Sequence, residues 1–564
     1  MTEPWDETAD VVVVGFGAAG ACAAIEAADA GARVLVLDRF VGGGATAISG
    51  GVVYAGGGTR QQQSAGVTDT PEAMADYLRE EVGDTVSAAT LDRFCSQSAS
   101  MIDWLSDLGV PFDARLCPYK TSYPTNRHYL YYSGSEMSFP KPAPRGHRVV
   151  ARGTSGRVLA ARLAAAARDR GVAVLAQTRV ERLVTGADGR VTGVECRTLR
   201  GAPGWVRLGH RVLHRFSVKP GLYLPGLGRA LHRPVAWLER RYGRPLRVAS
   251  GRGVVLSAGG FVFNREMMRE HAPDYHGGLR LGTPGDDGSG IRLGVAAGGS
   301  IDHLNRVTIW RFLAPPSAML GGLLVDRDGR RVCDESRYGA AVGEAILRSP
   351  GAQAWLLLDA AVLAECRRQV WTQTLWFQRW QAFWLLTVGR VTGPTLEAVA
   401  RRAGVDPAGL TATLAAYQAA QPVTPGEPAG SGHLALRAAY PGGDSGVPLG
   451  DSAFAAGTPA DPFGKPDGLV RLLASPPYSL VDVSVRNRTA LPAPMLTLGG
   501  LRVDEETGQV VGVAGLYAAG RSAVGICSRS YVSGLSLADC VFSGRRAGLS
   551  AAIQDRGGLH AHRG

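Results

Sequence analysis

Residues 10–39, "DVVVVGFGAAGACAAIEAADAGARVLVLDR", constrain the fold more than any other stretch of the chain. An apolar run enters Gly15-x-Gly17-x-x-Gly20, an alanine-rich helical segment follows, and a second apolar run ends on Asp38. Each glycine has its own task. Gly15 permits a tight turn, Gly17 lets a pyrophosphate approach the backbone, and Gly20 lets the helix pack on the strand. The helix start, with Ala18 and Ala19, offers free N–H groups and a partial positive charge to phosphate. Asp38 stands where a carboxylate accepts ribose hydroxyls. Strand, helix, strand and acid in register predict an α/β, Rossmann-like domain holding NAD or FAD.

At 564 residues the chain is long enough for two or three domains. Its eight cysteines are scattered without metal spacing, so no metal site is expected and reduced thiols of a cytoplasmic protein are. The first residues lack the pattern of a secretory signal, and no apolar run reaches the length of a membrane-spanning helix.

Flavin suits the sequence better than nicotinamide. "GGGATAISGG" (42–51) follows the second strand at once, and a loop of such small residues suits a ribityl chain and ring. "GLYAAG" (515–520) reads as a late strand returning to the same cofactor. The strand around Val180 can meet adenine with its backbone, and "GVVLSAGGF" (253–261) is a buried strand ending in glycines.

With these blocks, and with "GTPGDDGSGI" (282–291), "GGLLVDRDGRRVCDES" (321–336), "DPFGK" (461–465), "PPYSL" (476–480) and "TLGGLRVDEETGQVV" (497–511), the chain resembles the fumarate reductase/succinate dehydrogenase flavoprotein superfamily. Within it the chain looks most like the 3-ketosteroid dehydrogenases. The resemblance implies a discontinuous FAD-binding domain, 1–302 and 470–564, with an inserted α+β capping domain at 303–469. It also implies a cradle continuing from the fingerprint through Arg39, then Ala45, Thr46, Ser49, Gly50 and Gly51. Val180, Ala258, Gly259 and Asp287 follow, and Gly520, Arg521, Gly534, Ser536 and Leu537 close it. Covalent flavin in that superfamily needs a histidine in the loop after the second strand; residues 42–51 contain none, so non-covalent FAD is implied.

The resemblance also bears on chemistry. Members that reduce fumarate carry an arginine where this chain has Tyr531, a second near Tyr338, and a histidine where it has Thr497. Arg337 is one residue from the second position. A dicarboxylate would leave its charges unpaired, which disfavours it. Two phenols suit a neutral ketone: one donates to the carbonyl oxygen, the other, deprotonated or relayed through a hydroxyl, removes the α-proton. Tyr531-Val532-Ser533 and Tyr338 most resemble the Δ4-(5α) branch, giving Tyr531, Tyr338 and Ser533 as candidate catalytic residues. The base needs a lowered pKa, for which the helix expected at 534–548 is a source. Δ1-dehydrogenation and fumarate-type ene reduction remain alternatives. A flavin module without chemistry, serving assembly or sensing, is the reading from another class.

Three aromatic or basic stretches remain. In "YKTSYPTNRHYLYYSGSE" (119–136), Tyr123, Tyr129 and Tyr132, with Gly534, are candidates for lining an apolar substrate cleft. Residues 200–252 carry twelve Lys/Arg against one acid, Glu239, so +11 of the chain's +12 lies there. This stretch interrupts an expected hairpin between 191–199 and 245–250, and its basic residues alternate with Trp205, Phe216, Leu231 and Trp237. It predicts a peripheral contact with an anionic membrane surface at the inner face, and it should be removable without loss of fold or FAD. No nucleic-acid fold is evident. "RRQVWTQTLWFQRWQAFWLL" (367–386) spaces aromatics as one helix face, either capping-domain core or an interfacial entrance for a lipophilic substrate, and docking to a partner protein is open for this segment and for the basic one. The electron acceptor is not written in the sequence.

Overall fold

The computed structural model describes residues 4–275, 278–420, 461–485 and 493–553. The expected capping stretch 303–469 therefore includes 421–460, and the expected second cofactor part includes 486–492 and 554–564, outside the described residues.

The fingerprint builds the centre of the first body. Strand Glu7–Val14 lies between Val34–Asp38 and Arg244–Leu256, parallel to both. Val11, Val12 and Val13 are fully buried, as a central strand covered on both faces requires. Ala173–Ala176 extends the sheet on one side, and Val191–Thr198 and Thr178–Thr185 extend it antiparallel on the other. The late strand Leu516–Ala518 pairs parallel with Leu256 and its neighbours, as the sequence predicts.

The alanines of helix Ala18–Asp29 have a packing reason. The closing helix Leu535–Ile553 lies against it so closely that a Cβ on Gly544 would fall 2.4 Å from the Ala19 oxygen. A Cβ on Gly548 would fall 2.1 Å from the Ala23 oxygen. Small residues on both sides let two backbones touch.

The second body is α+β. Leu323–Val325, Trp355–Leu358, Tyr478–Asp482 and Arg390–Gly393 form an antiparallel sheet with helices around it. Strand Tyr478–Asp482 pairs within this sheet, so the return to the first body falls after it, not at 470.

The basic insert is a pair of helices, Gly204–Tyr223 and Pro225–Tyr242, leaving and re-entering the sheet at the paired residues Thr198 and Arg244. Only Leu224 separates the two helices. The insert's inner face is mixed: Val206 and Leu238 pack with Leu199 and Ala202, His214 stacks on Phe40 with ring centroids 3.6 Å apart, and Glu239 meets Arg39. Its outer face carries the apolar residues Trp205, Leu208, Val212 and Phe216, all exposed. The insert is tied to the cofactor body, because its one acid neutralises a half-buried arginine there. Part of the basic charge is also internally matched, Arg200 by Glu7 and Arg247 by Glu195. No helix among the described residues is long and apolar enough to cross a membrane.

Candidate active site

The strand ends converge on an open cradle. Gly15 turns at φ +100°, and a Cβ there would strike the Ser257 oxygen at 2.7 Å. Gly17 differs: a Cβ there would meet nothing nearer than Thr46 Oγ1 at 3.7 Å, so its face is open to a ligand. The Ala18 N–H donates to that Thr46 hydroxyl, which ties the short helix Gly44–Ile48, with Ala45, to the fingerprint. Ser49 Oγ donates to the Thr46 oxygen and accepts from Gly51 N, and Gly51 turns at φ +66° against Ser155. Asp38 is buried and accepts the amides of Phe16, Phe40 and Gly42 at 2.8–3.0 Å. A carboxylate has about four acceptor sites, so a ribose hydroxyl can take the last.

The far side comes from other strands. Val180 is buried in the sheet core, and Ala258 and Gly259 follow the strand end, the Gly259 oxygen accepting from Ser522. Gly520 turns at φ +58° over Ala19. Arg521 Nη2 donates to Asp286 at 2.6 Å, while its Nη1 is buried without a hydrogen-bond partner. Gly534, at φ +84°, leads into the closing helix, with Ser536 and Leu537 in its first turn. An orphaned guanidinium nitrogen, an open glycine face and a helix start together fit an anionic dinucleotide.

Arg39 departs from its expected use. Its guanidinium donates to both Glu239 oxygens and to Asp287, all at 2.9 Å, so these groups satisfy one another. Burial would raise Glu239, but hydrogen bonds from His210 and Arg39, and their charges, pull it down to about 2. Asp286, the neighbour of the expected Asp287, holds Arg521 instead.

Beyond the cradle lies an aromatic box of Trp310, Phe312, Tyr338 and Tyr531, closed by Leu281, Leu496 and Leu498. The Tyr338 and Tyr531 rings stack at 6.3 Å, and Trp310 stands edge-on to Tyr531 at 4.9 Å. Tyr338 precedes helix Gly339–Arg348, and its N–H donates to Ser135 Oγ. The Ser533 side chain stands near the hydroxyls of both Tyr338 and Tyr131 and favours their ionised forms. Arg337 points away, to Glu81 at 3.3 Å. Thr497 accepts the Phe261 amide at 3.0 Å.

Burial pushes Tyr338 well above the usual phenol value and the nearby Tyr531 adds to this, with Ser533 opposing. Burial likewise raises Tyr531, with Cys527 adding and Arg521 opposing. The expected lowering is absent because desolvation outweighs the helix start. Both phenols stand protonated at neutral pH.

Of the tyrosines expected to line a cleft, Tyr123 packs on the cradle, its hydroxyl donating to the Gly50 oxygen at 2.7 Å. Tyr129 donates to the Asn126 oxygen beneath Arg115 and Arg148, and Tyr132 is buried in the core cluster that includes Met137 and the capping sheet. The structure brings Tyr131 to Ser533 in their place. Strand pairing of Leu130–Tyr131 with Gly146–Arg148 sets that direction, which sequence alone did not signal.

The family model described as FAD binding domain matches residues 10–534. The chain is 37% identical over 544 residues to 3-oxo-5-alpha-steroid 4-dehydrogenase of Comamonas testosteroni, covering 92% of this chain and 93% of that one. Among solved structures, 3-ketosteroid-delta4-(5alpha)-dehydrogenase of Rhodococcus jostii RHA1, in complex with 4-androstene-3,17-dione, superposes with a TM-score of 0.75. Its sequence identity is 28%, with 98% of this chain and 99% of that one covered. A flavocytochrome c3 fumarate reductase in its open conformation shares the fold, with a TM-score of 0.58, 22% identity and coverage of 97% and 78%.

Proposed function

The chain belongs to the FAD binding domain family, and from that premise we propose that it is a dehydrogenase forming a C=C bond beside the ketone of a 5α-steroid-like lipid. The observation that carries this reading is the stacked pair Tyr338 and Tyr531 in an apolar box, with Arg337 turned out of it. The flavin, held non-covalently, supplies the acceptor for a hydride and its electron pair. Tyr531 donates its O–H to the ketone oxygen, so the charge developing there on loss of the α-proton is stabilised. Tyr338 starts protonated. It therefore takes the α-proton only as its own O–H proton passes to Ser533, whose hydroxyl proton is released in turn toward solvent, a relay that leaves no phenolate in the apolar box. Hydride leaves the β-carbon, and the C=C bond forms between the two carbons.

In this reading the protein serves lipid and steroid metabolism at a membrane surface. The insert supports the contact: its exposed Trp205, Leu208, Val212 and Phe216 lie beside Arg207, Arg211 and Arg215. Eight free thiols support a reducing compartment, hence the cytoplasmic face.

Anaerobic mixing of the yellow protein with 5α-androstane-3,17-dione, read by flavin bleaching and mass, tests the proposal. Bleaching with loss of two hydrogens and a double bond at C4 is expected. A bond at C1 would assign Δ1 chemistry; bleaching reversed by fumarate alone would overturn the ketone reading.

A further inference from the structure

Helix Trp376–Thr387 turns its aromatic face to solvent. Trp376 is 72% exposed, Trp380 73%, Phe383 55% and Trp384 45%, and Trp371 on the preceding helix is 67% exposed. Of the two expectations for this segment, capping core is therefore the wrong one. Only Gln378, Ala382, Leu385 and Leu386 of the helix are buried. A contiguous aromatic face of this kind is rare on a protein with nothing to cover it and marks an interaction surface.

We infer that this face docks in the headgroup–acyl boundary of a lipid bilayer. Three observations select lipid over another protein. Tryptophan, whose ring is apolar with one polar N–H, is the side chain that accumulates at that boundary. Residues 366–396 contain Arg367, Arg368, Arg379 and Arg390 and no acid, a +4 balance complementary to anionic headgroups. The Arg379 guanidinium lies over the Trp371 ring at 4.8 Å, which holds a positive charge within the aromatic face where an anionic headgroup would meet it. The inner face then supplies the function. Gln378 donates to the Tyr123 oxygen at 3.3 Å, and the Tyr123 hydroxyl donates to Gly50 of the cradle. Two hydrogen bonds connect the lipid-facing helix to the cofactor loop, so a membrane-dissolved substrate would arrive beside the site. This contact is separate from that of the insert and rests on the lipid-substrate reading only for its purpose, not for its existence.

The test is flotation of the FAD-loaded protein, without steroid, on vesicles of phosphatidylglycerol and phosphatidylcholine. The parent is expected to float, and its tryptophan emission to be quenched by brominated acyl chains. Trp376→Ser/Trp380→Ser/Trp384→Ser should float about 10-fold less or worse while keeping its FAD and melting temperature. High salt should weaken the insert contact, with +11 behind it, far more than the aromatic face with its +4, which separates the two. Quenching that persists in Trp205→Phe/Trp237→Phe, which removes the insert's tryptophans, supports the inference even if the triple variant misfolds. It is overturned if the parent stays in the aqueous fraction or the folded variant floats like the parent. It also fails if sedimentation shows this face pairing two copies that vesicles do not part. None of these outcomes depends on steroid turnover.

Discussion

Arg39 and Glu239 face one another across 200 residues of sequence, joined by two parallel hydrogen bonds of 2.9 Å. The bond ties the insert to the end of the strand that carries the ribose acid. Glu239→Gln should cost about 1.5–3 kcal/mol, the scale of a hydrogen bond to a charged group, and weaken FAD retention. Because Glu239 is held near 2, below its usual 4.5, its contribution is complete above pH 4.5 and fades as pH falls toward 2. Thermal melting and released-flavin fluorescence check both. Deletion of 204–242 should be worse than the point change, since it also strips His214 from Phe40.

The fingerprint glycines should fail in different ways. Gly17→Val has room in the folded chain but fills the space a pyrophosphate needs, so the protein should fold without yellow colour. Gly20→Ala places a Cβ 2.0 Å from the Gly15 oxygen and should destabilise the fold itself. Circular dichroism beside flavin absorbance separates the two.

Tyr531→Phe should keep FAD yet slow flavin reduction by about 10²–10³-fold, the loss of one oxyanion donor. Tyr338→Phe and Ser533→Ala should each slow it by about 10²–10⁴-fold, and the pair should be far from additive, as one relay requires. Since burial raises both phenols, the reduction rate should show no tyrosine inflection at neutral pH. Rapid-mixing absorbance across pH reads all three. An unchanged rate in Tyr531→Phe would make that phenol mere lining.

Asp539, buried in the closing helix, is raised from 3.8 to about 6, chiefly by desolvation, with Arg546 opposing. The folded state therefore binds more protons than the unfolded between those values, and stability falls as pH rises through that window. The gap corresponds to about 3 kcal/mol. Asp539→Asn should melt higher than the parent at pH 8, and the difference should close below pH 4. A constant difference across pH would refute the assignment.

Some of this was legible because the signal is local. Gly15, Gly17 and Gly20 are dictated by backbone sterics within one turn, and the hairpin interrupted by the insert shows in two flanking strands. Tyr338 and Tyr531 were legible by resemblance. Glu239 and Tyr131 were not, since each acts on a partner far along the chain and nothing beside it marks the pairing. The spacing of Trp376, Trp380 and Trp384 gives a helix face but not which side of it meets water. The pKa of the phenols was misjudged in sign because a helix start and desolvation oppose each other, and only burial decides between them.

The late strand Leu516–Ala518 and the helix after it complete a cradle begun at Gly15. A ribosome makes the first half of that cradle about 500 residues before the second. Until then the fingerprint helix lacks its Gly544 and Gly548 neighbour, and its alanine face is bare. Cofactor capture is thus a late event in the life of each molecule, and the nascent chain must wait, exposed to aggregation, until the strand at Leu516 and the helix after it have been made.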